Sequence, residues 1–382
     1  MKAEILKRID EIYEKRDTRA RELRAEGKKI IGYFCCQVPL EYLTAVDLVP
    51  YRILGSVSEP PTQGDFYVES VTCGYIRSCF DLASKGRYDF LDGLISCRSC
   101  QGIEISFDLW RYYFRPEYAY NIDVPHKVSE WGIKFFKEEL IDLRRDIEGF
   151  YGRKITDEAL REAIELHNSS RRLVRELYGL RKEDPPLISG PEVMKVMVAS
   201  MSLPPDEVNG LLKRIIDELK GTKGRLEKRD NRILVWGSII DAVPLVQLIE
   251  DCGSYVVMDD TCVGSRFYWP DVEITEDPID GLAKRYLDGI VCPRTFRDNP
   301  GRSHKDDLEH RFAYLKELVK DYKINGAVLE ITRYCDTHGW EVPDVKSYLE
   351  DLGIQTLFLE HDYSAVALEP LRTRIEAFME TF

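Results

Sequence analysis

Short apolar runs alternate with amphipathic segments in the first and last thirds of this 382-residue chain. This alternation is typical of βαβ units, in which helices join the parallel strands of a sheet. Gly253 and Gly353 follow two of the helical patterns, at the position where a helix end favours glycine. The pattern therefore predicts an α/β fold with strands at residues 29–34, 49–54, 90–96, 232–237, 255–260, 289–292, 327–331 and 356–360.

The middle third has a different pattern. Between about residues 129 and 220, leucine and isoleucine recur at the three- and four-residue spacing of amphipathic helices. Two prolines at 185 and 186 and the polar run 222–231 interrupt this pattern. We therefore predict an α/β domain at 1–128, a helical bridging domain at 129–228 and a second α/β domain at 229–382.

Charge and hydropathy exclude several classes of protein. The chain carries 54 Lys and Arg against 67 Asp and Glu, a net charge of -13, which disfavours nucleic acid as a partner. It has no run of about eighteen apolar residues that could span a bilayer. Its first residues mix acids and bases without the apolar core of an export signal. We expect a cytoplasmic protein with neither a membrane nor a nucleic acid as its partner.

The signatures of common nucleotide and hydrolase sites are absent. The chain contains no GxGxxG, no GxxxxGK[ST] phosphate loop and no GxSxG elbow, and its six histidines form no HExxH pattern. We therefore do not expect the chain to bind ATP itself. The cysteines are the remaining residues with distinctive chemistry.

The placement of the ten cysteines is more informative than their number. A cytosolic chain would not use them as a disulfide framework. Because the carboxyl ends of parallel strands face one crevice, thiols at these ends are expected to converge. Cys79 and Cys252 fall within helical patterns and are expected to be ordinary core residues. The others follow predicted strands or, for Cys73, open a predicted helix: Cys35, Cys36, Cys97, Cys100, Cys262, Cys292 and Cys335.

Spacing alone leaves alternatives open. Free cysteine is common in protein cores, so a buried apolar role is the more frequent outcome at any single position. Cys97 and Cys100 form a CxxC that could be a thioredoxin-like redox pair. A structural zinc site would need a second close pair, and the spacing does not match the ferredoxin run. A metal cluster assembled from distant segments accounts for the other strand-end cysteines.

Several segments resemble, in the same order, the motifs of the benzoyl-CoA reductase and 2-hydroxyacyl-CoA dehydratase subunits, the 2-hydroxyglutaryl-CoA dehydratase D-component family. The resemblance covers nearly the whole chain. The segments are GYFCCQVPLEYLTAVDLVPYRILG, CGYIRS, FLDGLISCRSCQGIEISFDLW, VVMDDTCVGSRFY, ITRYCDTHGWEVPDVKSYLEDLGIQTLFLEHDYS and LEPLRTRIEAFME.

The resemblance implies two Rossmann-like (flavodoxin-like) parallel-sheet domains bridged by a helical segment. It also implies a 4Fe-4S cluster held by three cysteines, for which Cys73, Cys100 and Cys335 are the best matches and Cys36 is the next. The implied partners are a second homologous subunit, an ATP-hydrolysing iron–sulfur activator, ferredoxin indirectly, and an acyl-CoA or aroyl-CoA substrate. Arg77 and Arg266 are the candidates for holding the CoA phosphates or orienting the thioester carbonyl.

The expected function is that of an iron–sulfur subunit of an ATP-coupled, low-potential enzyme acting on CoA thioesters, of the ring-reducing class I benzoyl-CoA reductase type. A 2-hydroxyacyl-CoA dehydratase subunit, which eliminates water through a radical, is the first alternative. A reductase with an 8Fe-9S double cubane is the second, since Cys36, Cys97, Cys262 and Cys292 exceed the three thiols that one cubane needs. A docking scaffold and a thiol oxidoreductase that uses only Cys97 and Cys100 are the alternatives outside this chemistry.

Overall fold

The structure, a computed structural model, describes residues 4–222, 224–239, 241–299, 301 and 303–382. The strands of the described residues are β1 (Ile30–Tyr33), β2 (Val49–Arg52), β3 (Gly93–Cys97), β4 (Tyr118–Ile122), β5 (Lys127–Val128), β6 (Asn231–Gly237), β7 (Ser254–Asp260), β8 (Phe296–Arg297), β9 (Gly326–Thr332) and β10 (Gln355–His361). Their α-helices are α1 (Glu4–Glu14), α2 (Thr18–Ala25), α3 (Glu41–Ala45), α4 (Gly74–Ser84), α5 (Gln101–Tyr113), α6 (Glu130–Tyr151), α7 (Asp157–Gly179), α8 (Gly190–Ser200), α9 (Pro205–Lys220), α10 (Val243–Asp251), α11 (Ser265–Tyr268), α12 (Pro278–Ala283), α13 (His304–Tyr322), α14 (Asp336–Gly339), α15 (Val342–Asp351) and α16 (Arg372–Met379).

The first sheet has the order β2-β1-β3-β4, and all its strands are parallel. Every residue of β1, β2 and β3 is buried, as expected for a parallel sheet with both faces covered. An order of 2-1-3-4 is flavodoxin-like, and it places a crevice at the carboxyl ends of β1 and β3, where the direction of winding reverses.

The second sheet has the order β10-β9-β6-β7, again all parallel. Counted along the chain from β6, this is the same 2-1-3-4 order. Its crevice therefore lies at the carboxyl ends of β6 and β9. The predicted fold class, two flavodoxin-like parallel sheets bridged by helices, is confirmed.

Helices α6 to α9 occupy the predicted helical region. Their starts are capped as their sequences favour: Ser129 and Thr156 accept hydrogen bonds from backbone amides of α6 and α7, and Ser189 forms a capping box with Glu192 at α8. The N-terminal helices also contact this region, because Lys195 pairs with Asp10 at 2.8 Å and Arg19 with Glu207 at 2.8 Å. The domain boundaries near residues 128 and 228 stay predictions.

One predicted strand is wrong, and β4 and the two-residue strands β5 and β8 were not predicted. The predicted strand at 289–292 is wrong: residues Lys284–Gly289 form a π-helical turn, and the Ile290 amide donates to the Arg285 carbonyl at 3.1 Å. This segment has no sheet neighbour with which to pair. Strand β4 was not predicted, because an edge strand with half-buried residues lacks a long apolar run. Gly253 and Gly353 end α10 and α15 with φ values of 95° and 80°, as expected.

Contacts between distant segments hold the two sheets opposite each other. Strand β5, which follows the first sheet, pairs with β8 of the C-terminal third. Glu41 of α3 accepts hydrogen bonds from Arg171 of α7 at 2.5 Å and from the Tyr286 hydroxyl at 2.8 Å. Both sheets therefore present their carboxyl edges to a shared cleft. Among the described helices, none has the length and apolar character needed to cross a bilayer.

Candidate functional site

A cavity of about 80 Å³ lies in the cleft between the two sheets. Its wall is rich in sulfur and also contains polar side chains, among them Arg52, Arg294 and His338. The cysteines that line it are Cys35, Cys73, Cys100, Cys262, Cys292 and Cys335. The sequence pattern predicted this convergence of thiols at strand ends.

The topology of the sheets explains why these residues meet. Cys35 follows β1 and Cys100 follows β3, at the crevice of the first sheet. Ser238 follows β6 and Cys335 follows β9, at the crevice of the second sheet. Ligands of open α/β sheets bind at such points, where the strand order reverses. Two flavodoxin-like crevices thus form the two sides of one cavity.

The three best-matched cysteines share a local geometry. Cys73, Cys100 and Cys335 are the N-cap residues of α4, α5 and α14. Burial raises the pKa of the Cys73 thiol, and amide donation from Ile76 and Tyr75 opposes this rise. A sulfur at a helix N-terminus is therefore surrounded by backbone donors that favour the thiolate, the form that binds metals.

Cys100 and Cys335 have the same balance of effects. Burial and the neighbouring Cys73 raise the pKa of Cys100 to about 12, while the Ile103 amide opposes this rise. Burial, and then Cys73, raise the pKa of Cys335 well above its usual range, and the His338 amide opposes this. Cys73 thus raises the pKa of both other thiols, and a cation in the cavity would favour their joint ionisation.

His338 connects Cys335 to Arg266. The Nε2 atom of His338 lies 2.9 Å from Nη1 of Arg266, and its Nδ1 atom lies 3.4 Å from the Cys335 Sγ atom. A guanidinium can only donate, so Nε2 accepts and the proton of the neutral ring lies on Nδ1. The ring is then oriented to donate a hydrogen bond to the sulfur of Cys335.

A second set of thiols lies beside the first. The Cys36 and Cys97 thiols hydrogen-bond to Cys35 and hold its pKa well below the usual range, with a further contribution from Arg52. Cys36 also hydrogen-bonds to Cys262 and, with Arg266, lowers the pKa of that thiol. Burial and the neighbouring Cys262 raise the pKa of Cys292 to about 12.

The structure brings some of the predicted site residues together and leaves others apart. Cys73, Cys100 and Cys335 line the cavity, whereas Cys36 is fully buried behind Cys262. Arg77 does not line the cavity and pairs with Asp65 at 2.8 Å on the outer side of α4.

Arg266 is buried, and both of its Nη atoms donate hydrogen bonds within the protein. It pairs with Asp260 at 3.2 Å and donates to the Gly237 carbonyl at 3.0 Å. A role of Arg77 or Arg266 in CoA binding stays a prediction. Cys292 lines the cavity although it does not follow a strand, because the turn at Lys284–Gly289 leads into the cavity wall.

Residues that the sequence analysis did not select complete the wall: Arg52, Arg294 and His338. Arg294 donates to the backbone carbonyls of Val124 and Pro125, each at 2.9 Å, which fixes the loop before β5. Arg52 ends an apolar strand, and Arg294 follows an apolar segment. The argument that selected the cysteines at strand ends would therefore also have found Arg52. His338 had no comparable signal.

The donor chemistry of the cavity fits an iron–sulfur cluster. In the described part of the chain, no three Cys, His, Asp or Glu side chains are arranged as ligands of a single metal ion. In a cubane each cysteine binds a different iron, so its ligands surround a volume and do not meet at one point. The thiols of three residues at helix N-termini around one cavity match this requirement.

Comparison with known proteins connects the site to a family. The sequence profile of the 2-hydroxyglutaryl-CoA dehydratase D-component family matches residues 35–382. The chain is 29% identical to a benzoyl-CoA reductase subunit of Thauera aromatica, over 99% of this chain and 98% of that protein. It is 25% identical to the (R)-phenyllactyl-CoA dehydratase beta subunit of Clostridium sporogenes, over 94% of each chain.

A third relative is the beta subunit of (R)-2-hydroxyglutaryl-CoA dehydratase from Acidaminococcus fermentans, which is 24% identical over 94% of this chain and 93% of that protein. All three relatives are enzyme subunits by name. The family match extends over the first sheet apart from β1, over the helical bridge and the second sheet, and over every cysteine of the cavity wall. The chain therefore belongs to the 2-hydroxyglutaryl-CoA dehydratase D-component family, which the motifs had indicated.

Proposed function

We propose that this chain is the iron–sulfur subunit of an ATP-coupled enzyme that delivers electrons at low potential to a CoA thioester. The observation that carries the proposal is the position of Cys73, Cys100 and Cys335 at three helix N-termini around one cavity. The cluster is a 4Fe-4S cubane held by these three thiols. Family membership supports the choice of CoA thioesters, since the relatives are named for reactions on them.

Within this proposal, the reaction is ring reduction of the benzoyl-CoA reductase type. The higher identity to the benzoyl-CoA reductase subunit than to the two dehydratase subunits favours it. The alternative is a subunit of a 2-hydroxyacyl-CoA dehydratase. Turnover of the reconstituted complex with an aroyl-CoA and with a 2-hydroxyacyl-CoA separates the two.

The residues of the cavity have distinct tasks in this function. A cluster bound there would accept and donate single electrons. Cys73, Cys100 and Cys335 hold it, and backbone amides and His338 donate hydrogen bonds to their sulfurs. The buried wall, with Ile76 and Ile103 beside the thiols, excludes water from the reacting centre. Three thiolates leave one iron free for a ligand that the protein does not supply.

The function requires partners. These are a second homologous subunit, an ATP-hydrolysing iron–sulfur activator and, through it, ferredoxin, in a cytoplasm that keeps thiols reduced. Several large apolar side chains are exposed and suit burial against a subunit: Phe66, Trp131, Trp340 and Val366. Arg77 or Arg266 would contact the CoA thioester only after leaving their present partners.

A second candidate cofactor is an 8Fe-9S double cubane. Cys35, Cys262 and Cys292 line the same cavity in addition to the three thiols of the proposed cubane. Two cubanes with three cysteines each would use all six. In that case the iron content doubles, and replacing Cys35, Cys262 or Cys292 lowers it.

The test is iron and acid-labile sulfide analysis of the anaerobically purified chain. We expect about four iron per chain for one cubane and about eight for a double cubane. Cys73→Ser, Cys100→Ser and Cys335→Ser should each lose at least half of the iron. Cys252→Ser is the matched control, because Cys252 lies at the end of α10, outside the cavity wall.

Two results would contradict the proposal. Zinc or no metal in the wild-type protein would exclude an iron–sulfur function. Wild-type iron content in all three cysteine variants would exclude this cavity as its location. A docking scaffold predicts unchanged turnover of the complex in these variants, and a thiol oxidoreductase predicts that only Cys97 and Cys100 matter.

A further inference from the structure

Arg52 is a buried charge in the wall of the cavity whose guanidinium makes no hydrogen bond to the described residues. It ends β2, it is 1% exposed, and its guanidinium carbon lies 5.2 Å from the ring centroid of Tyr33. In the described part of the chain, its Nε, Nη1 and Nη2 atoms are all buried and make no hydrogen bond. A guanidinium remains protonated in proteins, so the side chain carries a full positive charge.

Two other buried arginines near the cleft have carboxylate partners. Arg171 pairs with Glu41 at 2.5 Å, and Arg266 pairs with Asp260 at 3.2 Å. Of the arginines in the described ranges, only Arg52 has all three side-chain nitrogens buried without a partner. A buried charge of this kind strongly destabilises a protein unless an opposite charge lies near it. Asp241 and Cys35 lie near enough to interact with the charge of Arg52, but no carboxylate among the described residues hydrogen-bonds to it.

The open side of Arg52 faces the sulfur-lined space. Cys35 lies close enough to influence its charge, but it accepts no hydrogen bond from Arg52. The Tyr75 hydroxyl, which also lies near, already donates to the Ile53 carbonyl at 2.7 Å. Arg52 also lines the cavity, and Cys73, Cys100 and Cys335 lie in the same wall.

We propose that Arg52 is a positioning residue that supplies the counter-charge of the anionic cluster and raises its reduction potential. This inference rests on the proposed function. Thiolates and sulfides give such a cluster a net negative charge, and each added electron increases it. A positive charge in the low-dielectric wall stabilises the reduced form more than the oxidised form. One electron from an external reductant is therefore easier to add when Arg52 is present.

The experiment is a redox titration of the anaerobically purified protein, followed by electron paramagnetic resonance, on Arg52→Met and Arg52→Lys. Methionine keeps much of the volume and removes the charge, whereas lysine keeps the charge. We expect Arg52→Met to raise the ratio of oxidised to reduced cluster at a given potential at least tenfold. This corresponds to a midpoint potential that is lower by about 59 mV. Arg52→Lys should shift the midpoint potential by less than half of that amount. Arg87→Met is the control, since Arg87 is 60% exposed and lies outside the cavity wall.

Iron loss to a chelator gives a second measurement. We expect Arg52→Met to lose iron several-fold faster than wild type, and Arg52→Lys to resemble wild type. An unchanged midpoint in an iron-loaded Arg52→Met protein, or equal iron loss in both variants, would overturn the inference and leave the proposed function intact. A wild-type protein without iron would instead overturn the proposed function itself.

Discussion

The sulfur of Cys335 depends on a donor that its own segment provides. His338 is buried, and its Nδ1 atom lies 3.4 Å from that sulfur. Removing a group that hydrogen-bonds to a metal ligand typically lowers metal affinity by about 10- to 100-fold. We therefore expect His338→Ala to retain iron about 10- to 100-fold more weakly than wild type, measured by competition with a chelator.

His310 provides the control for this prediction, because it is exposed on α13, away from the cavity wall. His310→Ala should bind iron as wild type does. Equal retention in His338→Ala and wild type would show that the contact with Cys335 does not support the ligand.

At the scale of residues, part of the site could be predicted. Cys73, Cys100 and Cys335 are among the eight cysteines that open helices or follow strands, the family resemblance selected them from this set, and all three line the cavity. Their identity as metal ligands stays a prediction. Arg52 ends an apolar run in the same way, but arginine at a strand end has many ordinary partners, so only its unpaired state distinguishes it. His338 reaches Cys335 through the tight turn of α14, which no periodic pattern indicates.

The elements that matter most for the site are the helix starts. The first turns of α4 and α5 pack closely, because a Cβ atom on Gly102 would lie 3.4 Å from Ile76 and 4.0 Å from the Cys73 sulfur. Gly102 allows these two N-termini to approach while both present a thiol to the cavity. The spacing between the Cys73 and Cys100 sulfurs therefore depends on a small residue at this position.

Gly102→Ala and Gly102→Leu test this packing. Alanine fits at ordinary contact distances and favours the helix by about 0.5–1 kcal/mol, so iron content and stability should be kept or increased. Leucine must displace α4 or enter the cavity, and we expect most of the iron to be lost. Iron analysis with circular dichroism distinguishes the outcomes. Equal iron in both variants would contradict the close approach of the two helix starts.

At the scale of elements, the regular parts of the fold were predictable and the irregular parts were not. Buried strands such as β1 and β9 contain apolar runs, which can be recognised in the sequence without knowledge of the tertiary structure. The run at 289–292 has the same composition, yet no strand is available beside it, so it forms a turn and a loop. Strand pairing depends on tertiary neighbours, and a single sequence does not reveal them.

Buried polar contacts across the cleft help to hold the molecule together. The side chain of Glu41, which is fully buried, makes two of these contacts. Burial opposes its ionisation, but Arg171 and His167 lower the pKa of Glu41 from 4.5 to about 2. Because this pKa lies below the value of the unfolded chain, the stabilisation is fully present above about pH 4.5 and is lost as the pH falls through about 2. The difference in pKa corresponds to roughly 3 kcal/mol.

Glu41→Gln should therefore be less stable than wild type by roughly 3 kcal/mol near neutral pH, and the difference should shrink steadily below about pH 4.5. Urea unfolding at several pH values measures it. Glu130→Gln is the control, since Glu130 and Lys134 form an exposed pair and should matter little. A difference that does not depend on pH would show that the charge of Glu41 is not what joins α3 to α7.

The position of the site in the cleft also explains why it needs residues from both sheets. Cys73 and Cys100 belong to the first sheet, Cys335 belongs to the second, and more than two hundred residues separate Cys100 from Cys335. The pairing of β5 with β8 connects the chain after the first sheet to the C-terminal third. The sequence indicated two similar sheets, but it could not show that their crevices face each other, because that depends on long-range packing through the helical bridge.

The most direct test of the account is anomalous diffraction at the iron edge from crystals of the anaerobically purified protein. We predict a compact group of iron peaks in the cavity, bound by Cys73, Cys100 and Cys335 and enclosed by Arg52. No iron in the cavity, or iron bound without Cys335, would contradict a cluster held jointly by the two sheets.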